Sequence, residues 1–356
     1  MKFLRIILLV LNVFAALIFV LSTLAGVISP STWIWPSLLS FLFLPLLLLN
    51  VAFVVVWILL RRWECLLSVA VIAVRWSFVS LFFQIGGTKE APTTADQSTT
   101  LSVMTYNVHL FQGRDAEVGI SDSIAQCLLK MVDQHSPDML CLQEYAAPHT
   151  VALTDSLYNR GYQYSYGAHY SSKGLPYGTV VFSRLRYNFV KTLDSEKILI
   201  EADKSGNPFR VVCVHMDSYS FSQSDKAEIE QVRHGKVDES FRPTLRKVKG
   251  TILRHEEGWS NTLKPVVLQC TTPLIVVGDM NDTPASYLYH QFSKHLTDAF
   301  IEQGAGTSAT YNGGFPRFRI DMVFHNDGFK ALSYCRIKSD ASDHYPVLVS
   351  LSLTGK

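Results

Sequence analysis

Charge is scarce in this sequence. Only 17% of its 356 residues are Asp, Glu, Lys or Arg, against 48% hydrophobic, so the average covers two unlike parts. A net charge of +2 leaves no case for a large basic face built for nucleic acid. Cysteine is thinly spread over Cys65, Cys127, Cys141, Cys213, Cys270 and Cys335. No CxxC or Cys/His spacing suggests zinc, and nothing points to a disulfide framework. Cys141 and Cys213 sit inside apolar runs, where a free thiol behaves as a small hydrophobe. Internal repeats are absent. One long stretch, Trp33 to Leu60, carries no charged residue at all.

That stretch belongs to residues 1–86, which read as a membrane module. Phe3 to Val27 is apolar almost throughout, with only Arg5 near its start, and Cys65 to Phe83 is apolar except for Arg75. A bilayer-spanning helix needs roughly 20 such residues. The pattern predicts about three transmembrane helices, over about 3–27, 33–60 and 64–84. The first is long for a signal peptide and is followed at once by a second, which argues for retention. Arg75 is costly in lipid unless it snorkels or faces other helices. Lys2 and Arg5 precede the first span and Arg61 and Arg62 follow the second, so the positive-inside rule makes both cytoplasmic. Three spans then put the rest of the chain outside the cytoplasm, and two would leave it inside.

Residues 87–100 are small, polar and turn-rich, a linker. From 101 to 356 the pattern is that of an α/β domain. Apolar strand-like runs appear at Leu101–Tyr106, Asp138–Leu142, Tyr177–Ser183, Arg210–Val214, Leu274–Val277, Ile320–Phe324 and Pro346–Leu353. Ser123 to His135 has helical spacing at Ile124, Leu128, Met131 and Val132. Ser218 to Gln269 is charged, with helices expected around Lys226–Val232 and Thr244–His255, and reads as solvated helices crossing between strands. Arg246, Lys247 and Lys249 fit a solvated face better than a binding surface.

Catalytic residue types collect at the strand ends. Asn107, Glu144 and His215 follow apolar runs, Asp321 lies inside one, and Asp343-His344 abuts the last. The run Leu274–Val277 leads through Gly278 to Asp279 and Asn281, which in extended geometry would share a face. Each residue alone has a plainer reading. Asn107 serves equally well as a turn cap, His215 as a structural histidine, and Asp279 to Pro284 as a polar turn. Together they are hard to explain by solubility. Buried carboxylates are costly in isolation, so a cluster implies a cation or histidine partners. The oxygen-rich, Cys-free set fits Mg²⁺ or Mn²⁺. Such a site suits attack of water on a phosphate ester.

In order, TYNVH, LCLQE, YGTVVFSR, VVCVH, VVGDMND, RIDMVF and SDHYPV resemble the endonuclease/exonuclease/phosphatase superfamily, the DNase I-like phosphoesterases, over about residues 101–354. The resemblance implies a four-layer α/β sandwich, two packed mixed sheets flanked by helices. It implies Mg²⁺ binding at Glu144, with Asn107 beside it and Asp343 as an auxiliary carboxylate. It casts Asp279 as the group that aligns and deprotonates water and Asn281 as a donor to the phosphoryl oxygen. His344 becomes the phosphate-binding histidine, oriented by Asp321, and His215 a donor to phosphate or leaving group. Asp282 and Arg184 are expected to be structural and His109 incidental. Some nucleolytic members carry an acid near YGTVVFSR that pairs with the first histidine. Tyr177-Gly178 stand there instead, so the partner of His215 is open.

The expected function is membrane-anchored, Mg²⁺-dependent hydrolysis of a phosphodiester or phosphomonoester. The substrate, whether nucleic acid, phospholipid or small molecule, is undecided. Tyr311, Phe315, Arg317 and Arg319 are candidates for nucleic-acid contacts. A phospholipid or phosphoinositide-type phosphatase is one alternative, and an inactive membrane-anchored binding protein another. The lipid bilayer is the partner implied for the N-terminal helices, and no protein partner is inferable. Protease added to intact cells is expected to digest the large domain. Protection until the membrane is permeabilised would place that domain in the cytoplasm.

Overall fold

The computed structural model describes residues 2–92, 94–113, 122–146, 151–172, 175–233, 235, 241–313 and 317–354. The chain divides into two compact units. One comprises residues 83–216, 261–281 and 292–356, the other residues 1–82, 217–260 and 282–291.

Two six-stranded mixed sheets build the larger unit. In chain order the strands are β1 (Thr100–Asn107), β2 (Met139–Ala146), β3 (Tyr164–Ser172), β4 (Leu175–Ser183), β5 (Tyr187–Asp194), β6 (Lys197–Lys204), β7 (Asn207–His215), β8 (Leu274–Asp279), β9 (Thr297–Asp298), β10 (Asp321–His325), β11 (Phe329–Arg336) and β12 (Val347–Leu353). One sheet has the order β11-β12-β1-β2-β4-β3 and the other β5-β6-β7-β8-β10-β9. Among the described residues, only β1–β2 and β7–β8 are parallel, near the middle of each sheet.

Period-2 alternation explains the layering. Leu101 and Val103 of β1 point inward to meet Ile198, Val211, Ile275 and Val277 of the other sheet. Met104 and Tyr106 point the other way. They join Leu128, Met131 and Val132 of a helix at Asp122–His135, and Leu153 and Leu157 of a helix at Val151–Asn159. The expected sandwich of two packed mixed sheets flanked by helices is therefore present.

Gly278 fixes how β7 and β8 meet. Its φ is +144°, and a Cβ there would lie 1.8 Å from the carbonyl oxygen of Val214, its partner in register. Backbone cannot yield as a flexible side chain does.

The smaller unit contains helices α1 (Lys2–Thr23), α2 (Ile34–Ser40), α3 (Phe43–Leu59), α4 (Cys65–Val74) and α5 (Trp76–Val79). It also holds α6 (Gln223–Arg233) and α7 (Phe241–Gly258). The expectation of three regular spans needs correction. Among the described residues one helix, Lys2–Gly26, is long and apolar enough to cross a membrane, and α2 and α3 pass only as a pair bent by 71°. Pro45 accounts for that bend, because a proline ring clashes with the carbonyl four residues back, here Phe41. The third run breaks at Arg75, which has non-helical angles (φ −102°, ψ 20°) and separates α4 from α5.

Substituting Gly278→Ala is expected to cost about 1–3 kcal/mol of stability, since overpacked backbone must shift. Denaturant unfolding of the purified protein checks this, and an unchanged midpoint would contradict the packing described.

Candidate active site

Register brings the strand-end residues together. Asn107 stands opposite Gln143, His215 opposite Asp279, and Asp279 opposite Asp321. Glu144 has a positive φ of 54° and lies where the β2–β4 register shifts, between Leu142 and Tyr145. Such a bulge re-aims a side chain that regular alternation would point elsewhere. Gln143 beside it is buried and accepts from the Thr105 hydroxyl at 3.2 Å.

Asn107 links the two sheets. Its Nδ2 donates to Glu144 Oε1 at 3.1 Å and to Asp279 Oδ2 at 3.0 Å, while its Oδ1 accepts from the His109 amide at 3.0 Å. Ser342 Oγ donates to the Asn107 carbonyl at 2.8 Å and accepts from the His344 amide at 3.1 Å.

His344 Nδ1 lies 2.9 Å from Asp321 Oδ2, and its Nε2 lies 3.7 Å from Asp279 Oδ2. Burial alone would lower this imidazole's pKa, but the Asp321 and Asp279 carboxylates raise it well above the ordinary value. Asp279 is fully buried, which pushes its own pKa up to about 6, with the charges of His344 and His215 pulling the other way. The edge of Tyr311 meets the His344 ring at 5.3 Å between centroids. Burial, then the charges of Asp343, Asp279 and Glu144, push the Tyr311 phenol up to about 12.

Asn281 departs from the extended geometry expected of it. β8 ends at Asp279, and Asn281 turns into the left-handed region at φ 47°. Its amide is held by Asp279 Oδ1 at 2.8 Å, and its Nδ2 donates to the Met216 carbonyl at 2.9 Å. The pair forms an aspartate-capped turn, not two neighbours on one strand face. Asp343 Oδ1 lies 3.4 Å from His109 Nδ1, so His109 is drawn to the rim of the site.

His215 has a partner that sequence reasoning missed. Its Nε2 faces Glu144 Oε1 at 3.8 Å and Asp279 Oδ2 at 3.9 Å, while its Nδ1 lies 3.2 Å from Glu196 Oε1. The Glu196 carbonyl accepts from the His215 amide at 3.1 Å and from Thr179 Oγ1 at 3.0 Å. The turn between β5 and β6 thus supplies the acid that Tyr177-Gly178 lack. Burial would lower His215, yet Glu196 first, then Asp279 and Glu144, lift it to about 9. The one available signal was the apolar run Ile198–Ile200 after Glu196, which marks a hairpin strand.

Of the proposed substrate contacts, Tyr311 reaches the site. Arg319 does not: it is buried and paired with Asp298 at 2.8 Å. Arg317 is exposed, and Phe315 lies outside the described residues.

Ligand atoms of Asp279, Asp321 and His344 all lie within 4.8 Å of one another, a group able to hold a metal ion. A family model described as the endonuclease/exonuclease/phosphatase family matches residues 248–344. A second, described as a domain of unknown function, matches residues 5–82. The crystal structure of an endonuclease/exonuclease/phosphatase from Beutenbergia cavernae is similar at 20% identity and TM-score 0.52, over 72% of each chain. This is the endonuclease/exonuclease/phosphatase fold. The human Nocturnin catalytic domain with bound sulfate matches at 17% identity and TM-score 0.49, over 72% of this chain and 95% of that one. A family protein from Leptotrichia buccalis matches at 13% and 0.49, over 71% and 100%. No curated protein matches. With the family match and this set of carboxylates, amides and imidazoles in place, the chain is a metal-dependent hydrolase of ester bonds.

Replacing Asp321 by Asn removes the charge that most favours the imidazolium, so the pKa of His344 should fall. NMR titration of the histidine ring in EDTA checks this. An unshifted titration would contradict the pairing.

Proposed function

We propose that the chain is a membrane-tethered Mg²⁺-dependent phosphoesterase, with Mn²⁺ able to substitute, that drives water in line onto a phosphodiester or phosphomonoester. The observation that carries this reading is the Asn107 amide joining the carboxylates of Glu144 and Asp279, with His215 and His344 on either side of Asp279.

The donor chemistry fits a hard divalent cation. Glu144 and Asp343 are the accessible carboxylates, with 21% and 16% of their side chains exposed against 1% for Asp279 and 0% for Asp321. A cation that retains waters is best met by the accessible pair, with Asn107 beside them. Asp321 already holds His344 at 2.9 Å, so those two serve as an acid–imidazole pair. When bound, the ion polarises a phosphoryl oxygen and stabilises developing charge. Asp279, raised toward neutrality, aligns and deprotonates the water. Asn281 and His344 donate to the phosphoryl oxygens, and His215, held by Glu196, donates to phosphate or leaving group. Tyr311 beside His344 offers a face to the substrate.

Distribution of apolar surface supports the tether. Among the described residues, every exposed large hydrophobic side chain except Tyr158, Phe189, Leu268 and Ile301 lies before residue 86. The same segment buries polar groups: Asn12 Nδ2 donates to Ser68 Oγ at 2.6 Å, and Trp57 Nε1 donates to Asn12 Oδ1 at 2.9 Å. Apolar outside and polar inside is the arrangement a bilayer favours. Arg5 pairs with Glu64 at one end of α1. Beyond the other end, Ser29 and Ser31 bond Glu256 of α7. With the Lys2, Arg5, Arg61 and Arg62 end cytoplasmic, α7 belongs on the extracytoplasmic side.

Full-length protein in detergent should hydrolyse bis(p-nitrophenyl) phosphate with Mg²⁺ and lose turnover in EDTA. Asp279→Ala should abolish turnover, and His344→Ala should lower it by about two to four decades. Glu144→Gln should raise the Mg²⁺ concentration needed for half activity. Equal rates for wild type and Asp279→Ala would leave only a binding role.

A further inference from the structure

We propose that His255 is a positioning residue that clamps the two chain segments leaving the catalytic strands. The proposal rests on the phosphoesterase reading but concerns a residue outside the site. His255 lies on α7 and is 1% exposed. Its Nε2 is 2.8 Å from the carbonyl of Asp217, two residues after His215. Its Nδ1 is 3.2 Å from Asp282 Oδ2, in the residue that follows Asn281. The Asp217 carbonyl can only accept, so Nε2 is the donor there.

The surroundings hold this ring in place. Tyr219 meets it edge-on at 5.7 Å between centroids. Arg254, the preceding residue, donates from Nε to Asp217 Oδ1 at 2.8 Å and from Nη2 to Thr251 Oγ1 at 2.8 Å. Asp282 is buried, and its Oδ1 accepts from the Thr283 amide at 2.9 Å. Two further links join the same exits nearer the strands: Met216 N donates to the Asp279 carbonyl at 2.9 Å, and Asn281 Nδ2 donates to the Met216 carbonyl at 2.9 Å. His255 bridges the continuations of β7 and β8, which carry His215, Asp279 and Asn281.

An error of about 1 Å in a catalytic group can cost about a hundredfold in rate. Loss of the clamp should therefore act on kcat more than on KM. The test uses full-length protein in detergent with Mg²⁺ and bis(p-nitrophenyl) phosphate. His255→Ala is expected to lower kcat about 10- to 100-fold, with KM within about threefold. His255→Gln, which keeps a donor for the Asp217 carbonyl, should recover part of that loss. Amide hydrogen exchange should quicken together at residues 215–217 and 279–283 in His255→Ala. If that variant does not fold, the exchange and kcat of His255→Gln, intermediate between clamped and free, carry the test. A kcat within about threefold of wild type, or faster exchange confined to α7, would overturn the proposal. A wild type without turnover would defeat the phosphoesterase reading, while exchange would still decide the clamp.

Discussion

One amide holds the site together. Asn107 ends a strand of one sheet and reaches carboxylates that belong to both, Glu144 beside it and Asp279 across from it. Like charges this close repel, and burial makes the repulsion worse. The bridging donor, together with the imidazoles of His215 and His344, makes the arrangement tolerable. The site is therefore assembled at the mouth of the inter-sheet core, where the apolar alternation stops and polar groups must satisfy one another.

The parallel pairs explain why this mouth is the place. β1–β2 and β7–β8 both run toward it, so their last residues arrive at one end of the sandwich. β10 starts there, antiparallel to β8, and delivers Asp321 opposite Asp279. The polypeptide then leaves the mouth through Asp217 and Asp282, and His255 binds both. A precise site at the end of a rigid sheet still needs its exits secured.

Strands carried by apolar runs were readable from sequence: β1, β7, β8, β10 and β12 each stand within three residues of the expected bounds, and β2 ends four residues beyond its expected end. Strands whose segments carry charge were not. β5 (YNFVKTLD) and β11 (FKALSYCR) each bury one face at most, and β6 begins with Lys197, which is paired with Asp194. Missing that hairpin meant missing Glu196. The bulge at Glu144 and the left-handed turn at Asn281 were equally invisible, because backbone dihedrals at single residues are set by tertiary context. In the N-terminal segment hydropathy located the apolar runs, but not the break that Pro45 imposes at Phe41. Nothing in the composition marks residues 217–260 and 282–291 as packing with those helices.

The most direct test is the position of a bound ion. Crystals of the full-length protein soaked in Mn²⁺ should show an anomalous peak against the carboxylates of Glu144 and Asp343 beside Asn107. A peak elsewhere on the molecule, or none at saturating Mn²⁺, would contradict the account.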